Sequence, residues 1–215
     1  MVCLYQQILR QPLGDLDTFV RAKGPQRLPV VCTRTEGGKL LAHVPGTYGL
    51  MASLLYGAGL RRMDCLRVRV HDINFAYQQL VLRDGKGQKD RVAPLPQRLV
   101  EPLQQPLAMG KRVPQAELAQ GYGTVDMPHA LARTSPQAPT AWSWQDVFPS
   151  ARRSAAPRSG ALRRPHGHEN GLQQAVKKAA QAAARTTPAT CHSLRHRCAT
   201  PLLEDGYASR TVQEL

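Results

Sequence analysis

The sequence of 215 residues has a formal net charge of +14 and a pI near 10.2, with 42% hydrophobic but only 5% aromatic residues. This length suffices for one domain and part of another, and the charge favours a polyanion: DNA, RNA or an anionic membrane. The sequence contains no run of about 18 apolar residues, and Met1 to Leu13 is too short and too polar for a secretory signal. We therefore expect a cytoplasmic protein whose partner is a nucleic acid.

The N-terminal part predicts two short segments ahead of the main domain. Cys3 to Arg10 allows one or two helical turns, which cannot bury an apolar face alone, so residues 1–23 are interpreted as the remnant of an upstream helical domain. Residues 24–32 contain one glycine and two prolines and are predicted to be a linker. Thr33 and Glu36 have the spacing of a capping box and predict the start of the first helix of the main domain.

Two more helices and a small sheet follow. Thr47 to Tyr56 predicts the second helix, and the third is expected to start around Leu60. From Val68 to Leu95 apolar residues recur at about every second position, and Asp84 to Gly87 has the composition of a hairpin tip. We predict three short antiparallel strands, with these apolar residues on them: Val68 and Val70, then Leu80 and Leu82, then Val92.

The rest of the chain is mainly helical. Leu99 to Leu118 predicts a helix interrupted by prolines, and Gln120 to Arg164 shows little periodicity. Leu172 to Ala184 has a clear amphipathic pattern, and Cys191 to Glu204 predicts a helix that Gly206 closes. The predicted fold class is therefore α+β, mainly α, with a small three-stranded antiparallel sheet.

Five residues have side chains suited to phosphate chemistry. Arg61 at a helix start can present donors to a phosphate, and Asp64 could orient its guanidinium or merely cap the turn. His192 and Arg195, three positions apart, can together present donors to one phosphate. Lys86 sits between glycines at the hairpin tip and could act as a general acid if its pKa were lowered. Taken singly, each has an ordinary alternative: a surface arginine, a solvated turn lysine, a basic helix end.

The cysteines favour reduced thiols, because their number, five, is odd and no CxxC pair occurs. Six side chains raise the alternative of a metal site: Cys191, His192, His196 and Cys198, with His166 and His168. Cys191 and Cys198 lie about two helical turns apart, which is too far for one tetrahedral ion. We predict neither a metal nor a cofactor.

The order of these residues resembles the catalytic series of the tyrosine recombinase (phage integrase) family: an arginine on an early helix, a lysine on a hairpin, then HxxR on a late helix. The segments that carry the resemblance are Leu54 to Arg61, Val70 to Phe75, Asp84 to Arg91, and His192 to His196 with Ala199 to Tyr207. Residues 119–150 resemble the insertion peculiar to integron integrases. Its matching segments are Gly121 to Gly123, Pro128 to Arg133 and Trp142 to Pro149.

The resemblance implies a fold and a set of roles. Residues 33–215 would form the recombinase catalytic domain, incomplete at its C-terminal end, and residues 1–23 would be left of a helical core-binding domain. Arg61 and Arg195 would clamp the scissile phosphate, His192 would assist, Lys86 would protonate the leaving 5′-oxygen, and Asp64 would support Arg61. Further implied DNA contacts are Lys89, Arg91, His129 and Arg133.

The implied partners are DNA, in the form of integron attachment and cassette recombination sites, and further copies of the chain, since the family works as a tetramer on DNA. The family's nucleophilic tyrosine lies beyond the HxxR box, and the sequence ends at Leu215 before reaching it. Tyr207, twelve residues after Arg195, matches a helix-connection tyrosine instead. We therefore expect that this chain does not cut DNA unaided.

Other departures from the family pattern suggest decay. Pro201 inside the last helix costs roughly 3 kcal/mol, and Gly37 and Gly38 each weaken the first helix by about 1 kcal/mol relative to alanine. Arg197 and Cys198 also replace a small polar residue and an aromatic one. Two alternatives to a recombinase fragment therefore stay open: a non-catalytic DNA-binding remnant, and the product of a decayed pseudogene.

Overall fold

The computed structural model describes residues 33–83, 90–110, 122–127, 131–156, 160–183 and 189–196. Three helices come first: α1, Arg34–Ala42; α2, Gly46–Ala58; and α3, Arg62–Leu66. The predicted capping box is confirmed, since Glu36 N donates to Thr33 Oγ1 at 3.3 Å and Thr33 N donates to the Glu36 carboxylate at 2.8 Å. Gly59 ends α2 with a φ of 63°, in the left-handed region that glycine tolerates best.

The two glycines of α1 differ in what surrounds them. A Cβ on Gly37 would lie 2.6 Å from Cε2 of the Tyr56 ring, whereas a Cβ on Gly38 would meet nothing within 4 Å. Gly37 therefore allows α1 to approach α2 closely. The interpretation of the two glycines as decay stays a prediction, but Gly37 has a packing contact that helix propensity alone does not show.

The predicted three-stranded antiparallel sheet is confirmed. Its strands are β1, Ile73–Asn74; β2, Gln79–Leu82; and β3, Arg91–Pro94, in the order β1-β2-β3. Leu80 pairs with both Ile73 and Ala93, and Leu82 pairs with Arg91 at the base of the hairpin. The hairpin tip with Lys86 and Lys89 lies outside the described residues.

Two details of the strand prediction are wrong. Val70–Asp72 forms a 3-10 turn rather than a strand, because the Asp72 carboxylate accepts from Arg69 N at 3.0 Å and its own amide donates to Arg69 O at 3.0 Å. Val92 is 51% exposed, whereas Ala93, which pairs with Leu80, is fully buried. Successive side chains on a strand face opposite ways, so the buried face of β3 is the one that carries Ala93.

Further elements surround this centre. The helices are α4, Val100–Gly110; α5, Leu131–Thr134; α6, Glu169–Ala182; and α7, residues 191–196. A hairpin absent from the prediction joins β4, Ser154–Ala155, to β5, Leu162–Arg163. Two predicted helices extend past the described residues: the continuation of α4 toward Leu118, and that of α7 through Pro201 to Glu204.

The core lies where α1, α2 and α3 pack against α6. The amphipathic prediction for α6 is confirmed, with Leu172, Val176, Ala179 and Ala180 buried. Leucine dominates the fully buried side chains, which also include Phe148. None of the helices in the described ranges is long and apolar enough to cross a membrane.

Candidate active site

A groove of about 1390 Å³ runs between α3, the three-stranded sheet, the β4–β5 hairpin and α7. Arg61, Asp64, His192 and Arg195 all line it. Three of the four predicted catalytic residues thus come together although more than 130 positions separate Arg61 from His192 (192 − 61 = 131). The fourth, Lys86, is outside the described residues, so its place stays a prediction.

The lining of the groove is strongly basic. It includes eight arginines and three histidines, and only four aspartates oppose the arginine charge. Several of these arginines went unnoticed in the sequence because they are scattered over distant elements with no local motif. The arginines are Arg61, Arg62, Arg67, Arg69, Arg83, Arg163, Arg164 and Arg195.

Asp64 connects α3 to the base of the lysine hairpin. Its Oδ2 accepts from Arg91 Nη2 at 2.9 Å, accepts from Arg61 N at 3.4 Å, and lies 3.6 Å from Arg61 Nη1. The side chains of Asp64 and Arg91 are only 10% and 13% exposed. Asp64 therefore both caps the turn and contacts the Arg61 guanidinium. Arg91, which was predicted to bind DNA, donates a hydrogen bond from one guanidinium nitrogen to Asp64.

Asp72 holds the other side of the same hairpin. Its Oδ1 accepts from Arg83 Nε at 3.0 Å and lies 3.1 Å from His71 Nε2. Arg83 directly follows β2, and Arg91 opens β3, so a carboxylate contacts each side of the hairpin at its base. Asp72 is not among the predicted site residues, because the stretch that contains it was predicted to be a strand.

The short helix α7 presents its polar face to the groove. Cys191 and Leu194 are buried, and Ser193 N donates to Thr190 Oγ1 at 3.2 Å at the start of the helix. His192, Arg195 and His196 line the groove. They stand at positions i, i+3 and i+4 of the helix, and residues at this spacing are neighbours on one helical face.

His196 is a groove residue that the prediction did not include. Its Nε2 lies 2.7 Å from Nε2 of His192, and the two rings meet edge to face with centroids 4.1 Å apart. Burial lowers the pKa of His196, and the neighbouring His192 and Arg195 act in the same direction. The i, i+4 spacing of two histidines on a predicted helix was the available signal.

The described part of the predicted insertion packs on the groove. Arg69 Nη2 donates to Asp126 O at 2.8 Å, and its guanidinium lies 5.4 Å from the Trp144 ring centroid. Asp146 lines the groove beside them, and burial raises its pKa to about 6 against the opposing effects of Arg69 and His166. Of the predicted DNA contacts in this insertion, Arg133 is exposed on α5 and His129 lies outside the described residues.

The tyrosines in the described residues lie away from the groove. Tyr48 packs against Gly171, and Tyr56 packs against Gly37. The ring centroid of Tyr122 lies 4.6 Å from the Arg153 guanidinium. Tyr77 is 75% exposed after β1. None of these four lines the groove. Tyr5 and Tyr207 lie outside the described residues.

The thiols and the potential metal ligands form no further site within the described ranges. Cys65 and Cys191 are both buried and reduced, and burial raises the pKa of Cys191 to about 11. No group of three or more His, Cys, Asp and Glu side chains in these ranges is placed to hold a metal ion. Cys198, part of the metal alternative, is outside them.

Solved structures with the same fold are recombinases. The crystal structure of XerA recombinase superposes with a TM-score of 0.60 at 19% identity, covering 88% of this chain and 56% of that one. A pre-cleavage complex of XerH site-specific recombinase bound to difH substrate has a TM-score of 0.60 at 17% identity, covering 99% and 54%. The fold is that of a tyrosine recombinase catalytic domain, as predicted.

Sequence comparison identifies the family. The sequence profile of the phage integrase family matches residues 38–215. An integrase/recombinase of Escherichia coli is 39% identical over 215 residues, which are 100% of this chain and 64% of that protein. Tyrosine recombinase XerA of Thermococcus onnurineus is 30% identical over 196 residues, 90% of this chain and 55% of the relative. The chain belongs to the phage integrase family and spans between 55% and 64% of the length of these relatives.

Proposed function

We propose that the groove binds a DNA phosphodiester and that the chain contributes to site-specific DNA recombination by tyrosine-recombinase chemistry. The observation that carries this proposal is the convergence of Arg61, His192 and Arg195 in one basic groove. The names of the relatives support the reaction type, and the XerH neighbour, solved on its DNA substrate, supports DNA as the partner.

The proposed roles follow from the chemistry of phosphoryl transfer. Arg61 and Arg195 bind the non-bridging oxygens through planar guanidinium groups, and His192 donates a further hydrogen bond. Lys86 protonates the leaving 5′-oxygen, and the Asp64 and Asp72 contacts position the hairpin that carries it. A preorganised donor of this kind typically contributes about 2.7–4 kcal/mol to stabilisation of the transition state.

The remaining predicted contacts extend the DNA interface along the chain. Lys89 and Arg91 are proposed to bind the backbone near the hairpin, although Arg91 has Asp64 as a partner in the DNA-free protein. His129 and Arg133 are proposed to contact DNA through the insertion. Homo-oligomers on DNA are part of the same proposal, because recombination joins several strand ends in one assembly.

The covalent step needs a tyrosine near the clamped phosphate. The described tyrosines lie away from the groove, and Tyr207 does not match the nucleophile's place in the sequence. We therefore propose that the 215-residue chain by itself binds DNA without forming a phosphotyrosine bond. A protein–DNA adduct that survives denaturation would contradict this.

We further propose that the chain derives from the integron-integrase branch. Support comes from the insertion segments quoted above, and from the contacts that Arg69 makes with Asp126 and Trp144, which hold part of the insertion against the groove. The DNA partners would then be integron attachment and cassette recombination sites.

The DNA-binding proposal is tested by titrating a labelled duplex with the 215-residue chain and following fluorescence anisotropy. Arg61→Ala and Arg195→Ala are expected to weaken binding roughly 10- to 100-fold, because charge-assisted hydrogen bonds contribute about 1.5–3 kcal/mol. Arg98→Ala is the control: it removes the same charge from an exposed residue that does not line the groove.

Each variant is first compared with the parent by thermal melting, so that a loss of DNA binding can be distinguished from a loss of folding. An equal loss for all three variants would mean that total charge, and not the groove, binds DNA. Affinity should also fall as salt rises, with a log–log slope of about −0.9 for each phosphate neutralised.

A further inference from the structure

The contact between His192 and His196 limits how many protons the two rings can hold. Their Nε2 atoms are 2.7 Å apart, within hydrogen-bonding distance. Such a bond needs a proton on one nitrogen and a lone pair on the other. Two protonated nitrogens at this separation would place both hydrogens in the same space. The pair in this arrangement therefore carries a charge of at most +1.

We infer that His196 is a positioning residue for His192. In the DNA-free protein, the two facing nitrogens share one proton. A DNA phosphate bound by His192 separates the two rings, and the pair then takes up one further proton from solvent. This inference rests on the proposed DNA binding of the groove. Counted over all four ring nitrogens, the pair gains one proton and one positive charge on binding, starting from a charge of at most +1, and that proton comes from solvent. No covalent bond changes.

The surroundings of the pair favour this exchange. Burial lowers the pKa of His196, and His192 and Arg195 act in the same direction, which favours its neutral form in the DNA-free protein. A bound phosphate would add negative charge and favour the protonated ring. The fixed charges of this groove include Arg195 on α7 itself and Arg61, Arg62 and Asp64 around α3, together with the other arginines and aspartates of the lining.

Two other titratable side chains line the groove, and their protons must be distinguished from those of the pair. His166 follows β5, and Asp146 has a pKa that burial raises to about 6. Phosphate binding would favour protonation of either group too. A test that measures only pH-dependent affinity would not distinguish them, so the proton uptake has to be assigned by substitution.

The experiment is isothermal titration calorimetry of the 215-residue chain with one fixed-sequence DNA duplex at pH 7 and constant ionic strength. Buffers of different ionisation enthalpy are compared, because the slope of the apparent binding enthalpy against that enthalpy gives the protons taken up. We expect uptake of about one proton, and hence an affinity that falls as pH rises, since the bound state holds more protons than the DNA-free state.

His196→Gln is expected to bind the duplex but to lose most of this uptake, because glutamine can hydrogen-bond to His192 without titrating. His166→Gln and Asp146→Asn should retain it. His43→Gln is the matched control, since it removes a histidine at the end of α1 whose Nδ1 contacts Lys39 O, away from the groove.

A second measurement does not depend on any variant. Long-range ¹⁵N NMR of the histidine rings should show one bare Nε2 in this pair without DNA, and one more proton over the four ring nitrogens of the pair with the duplex bound. The inference is overturned if the wild-type chain binds DNA with no proton uptake, or if His196→Gln keeps the full uptake. A chain that does not bind the duplex refutes the proposed function instead.

Discussion

Asp146 shows how a single residue couples the groove to pH. Its carboxyl lies half-buried beside Arg69 and His166, and burial outweighs both, raising its pKa from 3.8 to about 6. A raised carboxyl pKa means that the folded state binds a proton more tightly than the unfolded state does. Its contribution to stability is therefore present at low pH and is lost as pH rises through about 6.

This predicts the behaviour of Asp146→Asn, which removes the ionisation and keeps the shape. The free energy of unfolding of the variant minus that of the parent should become more positive from pH 4 to pH 6 and level off above pH 7. Urea denaturation at several pH values measures the difference. A difference that does not change with pH would show that Asp146 ionises in the folded protein as it does in the unfolded chain.

At the scale of elements, Gly37 of α1 lies against the Tyr56 ring of α2. Gly37 is buried against the Tyr56 ring, and its neighbour Gly38 faces open space, so the two positions share a helix but not an environment. Helix propensity alone would make either alanine substitution favourable by about 1 kcal/mol. Steric contact opposes that gain only at Gly37.

Gly38→Ala is therefore expected to raise the free energy of unfolding by roughly 0.5–1 kcal/mol. Gly37→Ala is expected to lower it, because the new Cβ would lie 2.6 Å from the Tyr56 ring and the ring must move. Chemical denaturation of the two variants against the parent gives both values. If both substitutions stabilise equally, α1 does not pack on Tyr56 in this way.

Two carboxylates from neighbouring elements contact the base of the β2–β3 hairpin. Asp64 from α3 and Asp72 from the 3-10 turn each contact an arginine on one side of the hairpin, at 2.9 and 3.0 Å. Both carboxylates are largely buried, so these contacts are screened less by solvent than an exposed ion pair would be. Each of the two strands that flank residues 84–89 is thus held at its end by a carboxylate.

For the whole molecule, the groove depends on segments far apart in the chain meeting in one fold. α3, the sheet, the β4–β5 hairpin and α7 each contribute arginines or histidines to one lining. The described part of the insertion joins this surface through Arg69, Asp126 and Trp144. Under the proposed integron branch, we expect this surface to contact an irregular DNA substrate.

The branch proposal predicts a preference that concerns the whole molecule. The chain should bind a folded single-stranded hairpin with extrahelical bases at least about tenfold more tightly than the same stem fully paired, a difference of about 1.4 kcal/mol. The fully paired hairpin differs only in the deletion of the extrahelical bases, and both DNAs are measured at the same salt. Equal affinity for the two DNAs would leave the family assignment intact and contradict the integron branch.

The sequence by itself determined the family, the order of the Arg61, Lys86 and HxxR boxes, the capping box at Thr33 and the amphipathic face of α6. These features depend on residues that are neighbours in the chain or share one helical face, so spacing alone reveals them. The length of the first strand and the buried face of β3 could not be predicted, because the Asp72 cap and the pairing of Ala93 with Leu80 override local propensity.

Only the tertiary structure decided which side chains meet. The contact of Asp64 with Arg91 spans 27 residues, and that of Arg69 with Asp126 spans 57. Gly37 likewise has its role because Tyr56 lies against it. A sequence lists donors, acceptors and small residues, but the distance between two side chains on different elements exists only once those elements have packed together.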